Sequence, residues 1–228
     1  MNEPEKEMAS LHQEILDCMK CPRLAQYIRE VAATRTRRFI NESYHGRPLP
    51  GFGDIHAKLL IVGLAPAAHG GNRTGRMFTG DSSANWLTRI MYEYKFASIT
   101  TSTNKSDGLL LRNVYVTAAA RCAPPQNKPT TAELRNCLPF LKHEMAILSN
   151  VRLILCLGQI GYRAACQALR VKPTKFGHNI LYEYDSTDIR VLTSYHPSRQ
   201  NTQTGRLTWE AWDAVFAHAL RIINEVSM

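Results

Sequence analysis

Lys58-Leu-Leu-Ile-Val-Gly-Leu64 is an unbroken apolar run closing on glycine, and Leu153-Ile-Leu-Cys-Leu157 repeats the pattern ahead of Gly158. A short continuous run without alternation marks a strand covered on both faces, as where helices pack on each side of a parallel sheet. Working outward, Val114-Tyr-Val-Thr117 reads as a second strand, and stretches at 179–184 and 189–193 as further strands. Helical periodicity fills the intervals. Leu11, Ile15 and Leu16, then Leu24, Tyr27, Ile28 and Val31, recur at three-to-four spacing on either side of a turn between Cys18 and Pro22. Asp81 or Ser82 can cap a helix through Trp86, Leu87, Ile90 and Met91, while Thr130 and Glu133 have capping-box spacing ahead of Leu134, Leu138, Leu141 and Met145. A helix at 162–169 and a final one carrying Trp209, Trp212, Phe216 and Ile223 complete an alternating order that predicts a layered α/β fold.

At 228 residues the chain fits one domain, 1–228, with 1–17 and 224–228 expected at its periphery. Hydrophobic residues at 44% and charged residues at 21% exclude wholesale disorder and a disulfide-dense scaffold. No apolar run is long enough to span a bilayer, and Glu3, Glu5 and Glu7 replace the basic, apolar start of a signal sequence, so a cytoplasmic protein without a membrane partner is expected. Lysine plus arginine outnumber aspartate plus glutamate 28 to 19, which suggests a polyanionic partner. The surplus is concentrated: Lys20, Arg23, Arg29, Arg35, Arg37, Arg38 and Arg47 face only Glu30 and Glu42 in the same stretch. Either a nucleic-acid-binding face or a solvated helix face fits that run.

In parallel α/β folds, ligands sit in the loops leaving the carboxyl ends of strands. Three polar loops here follow predicted strands and should converge. The first, 65–80, is rich in glycine, lets backbone approach a ligand, and lacks the Gly-Lys-Ser/Thr ending of a phosphate loop, which argues against a nucleotide triphosphatase. The last holds His196 beside Pro197, Ser198, Arg199 and Gln200, a rigid backbone with polar donors suited to meeting a phosphate backbone or groove. Of six cysteines, Cys156 and Cys166 fall on a buried strand and helix and need only packing. Cys18 and Cys21 form a close pair, and Cys122 and Cys137 a wider one. In a reducing compartment metal binding is the better reading of these four, with structural thiols and redox chemistry as alternatives. Spacing does not separate zinc from an iron–sulfur cluster.

Gly63-Leu-Ala-Pro66, Gly75-Arg-Met-Phe-Thr-Gly-Asp81, Arg121-Cys-Ala-Pro-Pro-Gln-Asn-Lys-Pro129 and His196-Pro-Ser-Arg-Gln-Asn201, with four cysteines in order, resemble the type-5 uracil-DNA glycosylases. Each motif is weak alone; four in order from about Cys18 to Trp212 are specific. The resemblance implies a three-layer fold with a central four-stranded parallel sheet flanked by helices, and a 4Fe-4S cluster on Cys18, Cys21, Cys122 and Cys137. It implies hydrolysis of the bond between deoxyribose and uracil in DNA by a monomer, which in a prokaryote would work at the nucleoid. By similarity Phe78 stacks on the extruded base, backbone near Gly63, Leu64 and Ala65 reads its edge, and Arg199 and Gln200 enter the vacated stack. His196 fits the donor to the departing base, and Asp81 or Asn127 the group that handles water. Phe78 also reads as a packing aromatic, and Asp81 as a plain helix cap.

Related glycosylases of other types carry a polar or acidic residue where this chain has Leu64 and Ala65, a departure that type-5 enzymes share. A first loop without an acid tolerates other deaminated bases, such as hypoxanthine and xanthine. The type-4 group, which resembles this chain less, carries glutamate in that loop and a Thr-Asn pair where Thr117-Ala-Ala-Ala-Arg121 stands here. A rival of another class is a DNA-binding module that keeps the cluster and has no chemistry.

Overall fold

The computed structural model describes residues 2–225; the expected periphery at 226–228 lies outside the described residues. In chain order the elements are α1 (Glu3–Leu16), α2 (Pro22–Thr34), β1 (Phe52–Gly53), β2 (Leu59–Gly63), α3 (Gly71–Thr74), α4 (Ser82–Glu93) and β3 (Val114–Ala118). There follow α5 (Thr131–Ile147), β4 (Leu153–Leu157), α6 (Gln159–Leu169), β5 (Ile180–Tyr184), β6 (Thr187–Ser194), α7 (Arg199–Gln203) and α8 (Trp209–Asn224). They form a six-stranded sheet in the order β1-β3-β2-β4-β6-β5. The inner four, β3, β2, β4 and β6, run parallel, with Leu60 opposite Tyr115 on one side and Ile154 on the other.

Every residue of β2, β3 and β4 is buried, as the unbroken apolar runs of β2 and β4 require. Alternation along β2 divides the core: Leu59 and Ile61 face Leu87, Trp212 and Phe216 of α4 and α8, whereas Leu60 and Val62 face Phe140, Leu141 and Tyr162 of α5 and α6. Each such side chain taken from water contributes roughly 1.5–3 kcal/mol. α1, expected at the periphery, buries Met8, Leu11 and Ile15 in the second half of the core.

The expected four strands are the inner ones, and the sheet is larger than that expectation. β1 and β5 add antiparallel edges, β1 against β3 and β5 against β6. Two residues cannot show a period, so β1 has no sequence signature. Nor is 65–80 an open loop: it contains α3, and Asn72, Arg73, Arg76, Met77 and Thr79 are buried within it. No helix among the described residues is long and apolar enough to cross a membrane.

Candidate active site

All four parallel strands send their carboxyl ends to one cavity of about 700 Å³. β2 supplies Leu64 and Ala65, β3 leads to Asn127, β4 ends at Gly158 before Gln159 and Ile160, and β6 leads to His196, Arg199 and Gln200. Phe78 and Asp81 complete the wall. The chain visits β3 on one side of β2 and then crosses to β4 on the other, and such a reversal opens a crevice at the strand ends.

Gly63 does not line the cavity; it lies behind Phe78. A Cβ there would fall 2.6 Å from Cζ of that ring, so glycine is what lets the aromatic seat against the end of β2. The Gly63 and Leu64 carbonyls accept from the Ala119 and Ala120 N–H groups, leaving neighbouring backbone to meet a ligand. Phe78 stacks on His196 with ring centroids 5.8 Å apart and an interplanar angle of 27°. Burial pushes the His196 pKa down to about 4, which keeps the imidazole neutral at pH 7 with one N–H to donate. Its carbonyl accepts from Asn201 Nδ2 at 2.8 Å and from the Ser198 N–H at 2.8 Å, so the loop holds itself in place.

Asp81 caps α4, accepting the Ala84 N–H at 2.9 Å. Its other oxygen lies where a Cβ on Gly70 would come within 2.3 Å, so that glycine makes room for the carboxylate at the cavity wall. Burial raises the Asp81 pKa, and the Ala84 and Ser83 N–H groups, Arg73 and Arg199 pull the other way. Cap and cavity residue are thus one position with two oxygens. Gln126 and Asn127 sit consecutively in the left-handed region at φ 55° and 56°, an uncommon pairing away from glycine that turns the Asn127 side chain to the cavity.

Phe78 is left-handed too, at φ 44°. What offsets that strain is a clamp on the flanking residues. Arg76 Nη2 donates to both carboxylate oxygens of Asp107 at 2.9 and 2.7 Å and to Ser102 Oγ at 2.8 Å, while its Nε donates to Thr79 Oγ1 at 3.0 Å. Burial works against the charge on Asp107, yet Arg76 and the N–H groups of Leu109, Thr103 and Asn104 bring its pKa down to about 2. Sequence reading found the aromatic and missed this support, because Arg76 and Asp107 meet across a long loop with no periodic signal.

The four cysteines assemble on the far side of the β3 loop. Cys21 and Cys122 share a packed cluster with Leu24 and Ile28. Burial first, and then the sulfurs of Cys137, Cys18 and Cys21, push the Cys122 thiol pKa up. Two ion pairs frame the group. Arg23 grips Glu133, which completes the capping box of α5 with Thr130, at 2.8 and 2.7 Å, drawing the Cys21 turn to the helix that carries Cys137. Arg121, beside Cys122, pairs with the fully buried Glu144 of α5 at 2.9 and 2.7 Å. The Arg121 Nε is buried without a partner. Among the described residues no group of three or more His, Cys, Asp or Glu side chains that could hold a metal ion is present. Cys156 and Cys166 are core residues, as expected.

The basic stretch is less free than its composition suggests. Arg23 is held by Glu133, Arg47 pairs with Asp17 at 2.6 Å, and Arg35 donates to the Ile40 carbonyl at 2.7 Å. No ion pair among the described residues engages Arg37, Arg38 or Arg199, all of them exposed.

Sheet and cleft define an α/β protein with an enzyme-like site: an aromatic, a neutral imidazole and a carboxylate gathered at the carboxyl ends of parallel strands. A family model described as the uracil DNA glycosylase superfamily matches residues 50–219. The type-5 uracil-DNA glycosylase of Thermus thermophilus is 46% identical over 212 residues, 92% of this chain and 95% of the relative. That of Pyrobaculum aerophilum is 42% identical over 205 residues, 90% of this chain and 88% of the relative. The type-4 uracil-DNA glycosylase of Pyrobaculum aerophilum is more distant, at 25% over 197 residues, 84% of this chain and 83% of the relative. The chain belongs to the type-5 uracil-DNA glycosylase family.

Proposed function

We propose that this chain is a base-excision repair enzyme that hydrolyses the N-glycosidic bond of uracil in DNA, releasing the free base and leaving an abasic site. The observation that carries this reading is the convergence of Phe78, Asp81, Asn127 and His196, from three separate segments, on one cavity. The base leaves the duplex stack at a cost of a few kcal/mol and regains part of it against Phe78. Arg199 and Gln200, exposed at the start of α7, are read as the side chains that fill the gap left in the stack. As the bond from the sugar carbon to the base nitrogen breaks, its electron pair departs with the base and positive charge builds on the sugar. The neutral His196 N–H donates to the base oxygen that gathers negative charge, and Asp81 faces the positive charge. Water, oriented by the Asn127 amide or by Asp81, then bonds to the sugar carbon, and the proton it gives up balances the negative charge that left with the base. Leu64 and Ala65 place no charge against the base, which supports a substrate range extending to hypoxanthine and xanthine.

The four cysteines are read as ligands of a 4Fe-4S cluster. Support comes from the family resemblance, which selects iron–sulfur over zinc, and from the burial of Cys122 among Cys137, Cys18 and Cys21, next to the unpartnered buried Nε of Arg121. When bound, the cluster would tie the turn between α1 and α2 to β3 and α5, and no bond-breaking step passes through it. Incubation with a uracil-containing duplex, followed by detection of free uracil and an alkali-labile site, tests the activity; tight binding with no base release would make the protein a DNA-binding module instead.

A further inference from the structure

Beyond the Asp81 wall lies a second depression of about 430 Å³ whose far side the reaction does not use. It shares Ala67, Asp81, Ser82, Asn127 and Arg199 with the base cavity, so the two are halves of one cleft. Its far side is formed by Tyr27, Arg38, Phe39 and His69. These side chains are set in place without a ligand. The Phe39 ring lies 3.9 Å from the Arg73 guanidinium, which donates in turn to the His69 carbonyl at 2.8 Å and the Gly80 carbonyl at 3.0 Å and pairs with Glu42. The His69 ring is fixed by the Tyr44 hydroxyl at 3.0 Å. Arg38 lies 5.0 Å from the Phe39 ring centre and, like Arg199, has no ion-pair partner among the described residues.

Two half-buried aromatics beside the exposed Arg38 guanidinium, which has no ion-pair partner among the described residues, match one nucleotide, a flat apolar base carrying an anionic phosphate. Connectivity selects which nucleotide. With the target base in the first cavity, its sugar lies at the partition formed by Asp81 and Asn127, and the strand must continue past that partition. We propose that the second depression is a subsite for the nucleotide immediately adjoining the target in the same strand, its base against Tyr27 and Phe39 and its phosphate against Arg38. The inference rests on the base-excision reading above. It assigns Tyr27 and Phe39 to substrate engagement and not to chemistry, and it makes excision depend on the base beside the uracil.

The test uses single-stranded oligonucleotides with one uracil and, on one side or the other, a tetrahydrofuran spacer in place of the adjoining nucleotide. Uracil release is followed under subsaturating single-turnover conditions. A spacer on one side, and not on the other, should slow release by the wild type about tenfold, the effect of removing one base–aromatic stack. Tyr27→Ala and Phe39→Leu, the second of which keeps apolar packing on Arg73, should slow release from the all-nucleotide strand and leave the spacer strand unchanged. Equal rates on all strands for the wild type, or variants that slow every strand alike, would overturn the subsite. Absence of uracil release from any strand would instead refute base excision itself.

Discussion

Phe78 and His196 stand ring against ring, 5.8 Å between centroids, so the side chain assigned to holding the base and the one assigned to its departure form a single packed unit. Removing either therefore disturbs the other. His196→Ala should lower single-turnover cleavage at saturating enzyme by roughly a hundredfold or more, the loss expected for one electrostatic donor. Phe78→Ala should act most at low enzyme concentration and be partly rescued when the uracil lies in single-stranded DNA, where less unstacking is needed. In the double variant the losses should fall short of additivity by about 0.5–1.5 kcal/mol, the range of an aromatic pair. Strict additivity would separate the two roles.

The same imidazole gives a pH signature. Its folded-state pKa of about 4 lies below the ordinary 6.5, so between these values the unfolded chain binds a proton that the folded chain refuses. Stability should fall as pH drops from about 6.5 towards 4 and should be free of this contribution above 6.5. Burial also lowers the pKa of His12, His45, His69, His178 and His218, so the slope is shared. His196→Asn should make the fall in Tm across that window shallower than in the wild type. An identical slope would show His196 to be protonated as readily folded as unfolded.

Metal content tests the cysteine assignment. Protein purified without oxygen should be brown, and Cys122→Ser should lose the colour and stability together, since metal binding contributes to folding. Cys156→Ser, in the core of β4, should keep full iron content. A colourless, zinc-loaded and fully active preparation would contradict a 4Fe-4S site.

For DNA binding, the structure narrows the seven-cation stretch to its free members. Arg37→Glu with Arg38→Glu should weaken binding to all sequences alike and reduce the steepness of the salt dependence by about one for each phosphate no longer neutralised. Arg35→Gln, which removes a guanidinium already bonded to the Ile40 carbonyl, should affect stability more than the salt slope. An unchanged slope in the double variant would return Arg37 and Arg38 to a solvated face.

Much of this was legible where chemistry is local. The continuous apolar runs located β2 and β4, the Val114–Thr117 stretch located β3, the Thr130–Glu133 pair located the start of α5, and Asp81 announced the cap of α4. What escaped reading depends on partners distant in sequence. β1 exists only because Phe52 and Gly53 meet Val116 and Tyr115, and the Phe78 clamp only because Asp107 folds back onto Arg76. Tyr27 shares the periodicity of the buried Leu24 and Ile28, yet it stands half-buried at the edge of that face and opens onto the cleft. Periodicity places a residue on a face; it does not say where the face runs out of protein.

The central claim, that the cavity at the strand ends cleaves the glycosidic bond through His196 and Asp81, is tested most directly at Asp81. Asparagine caps a helix about as well as aspartate, so Asp81→Asn should fold with stability within about 0.5 kcal/mol of the wild type. It should nonetheless release uracil at least about tenfold more slowly in single-turnover cleavage at saturating enzyme, because an amide can position water but cannot balance charge on the sugar. If Asp81→Asn cleaves every base at the wild-type rate while Asn127→Ala abolishes release, the carboxylate is only a helix cap and the water belongs to Asn127.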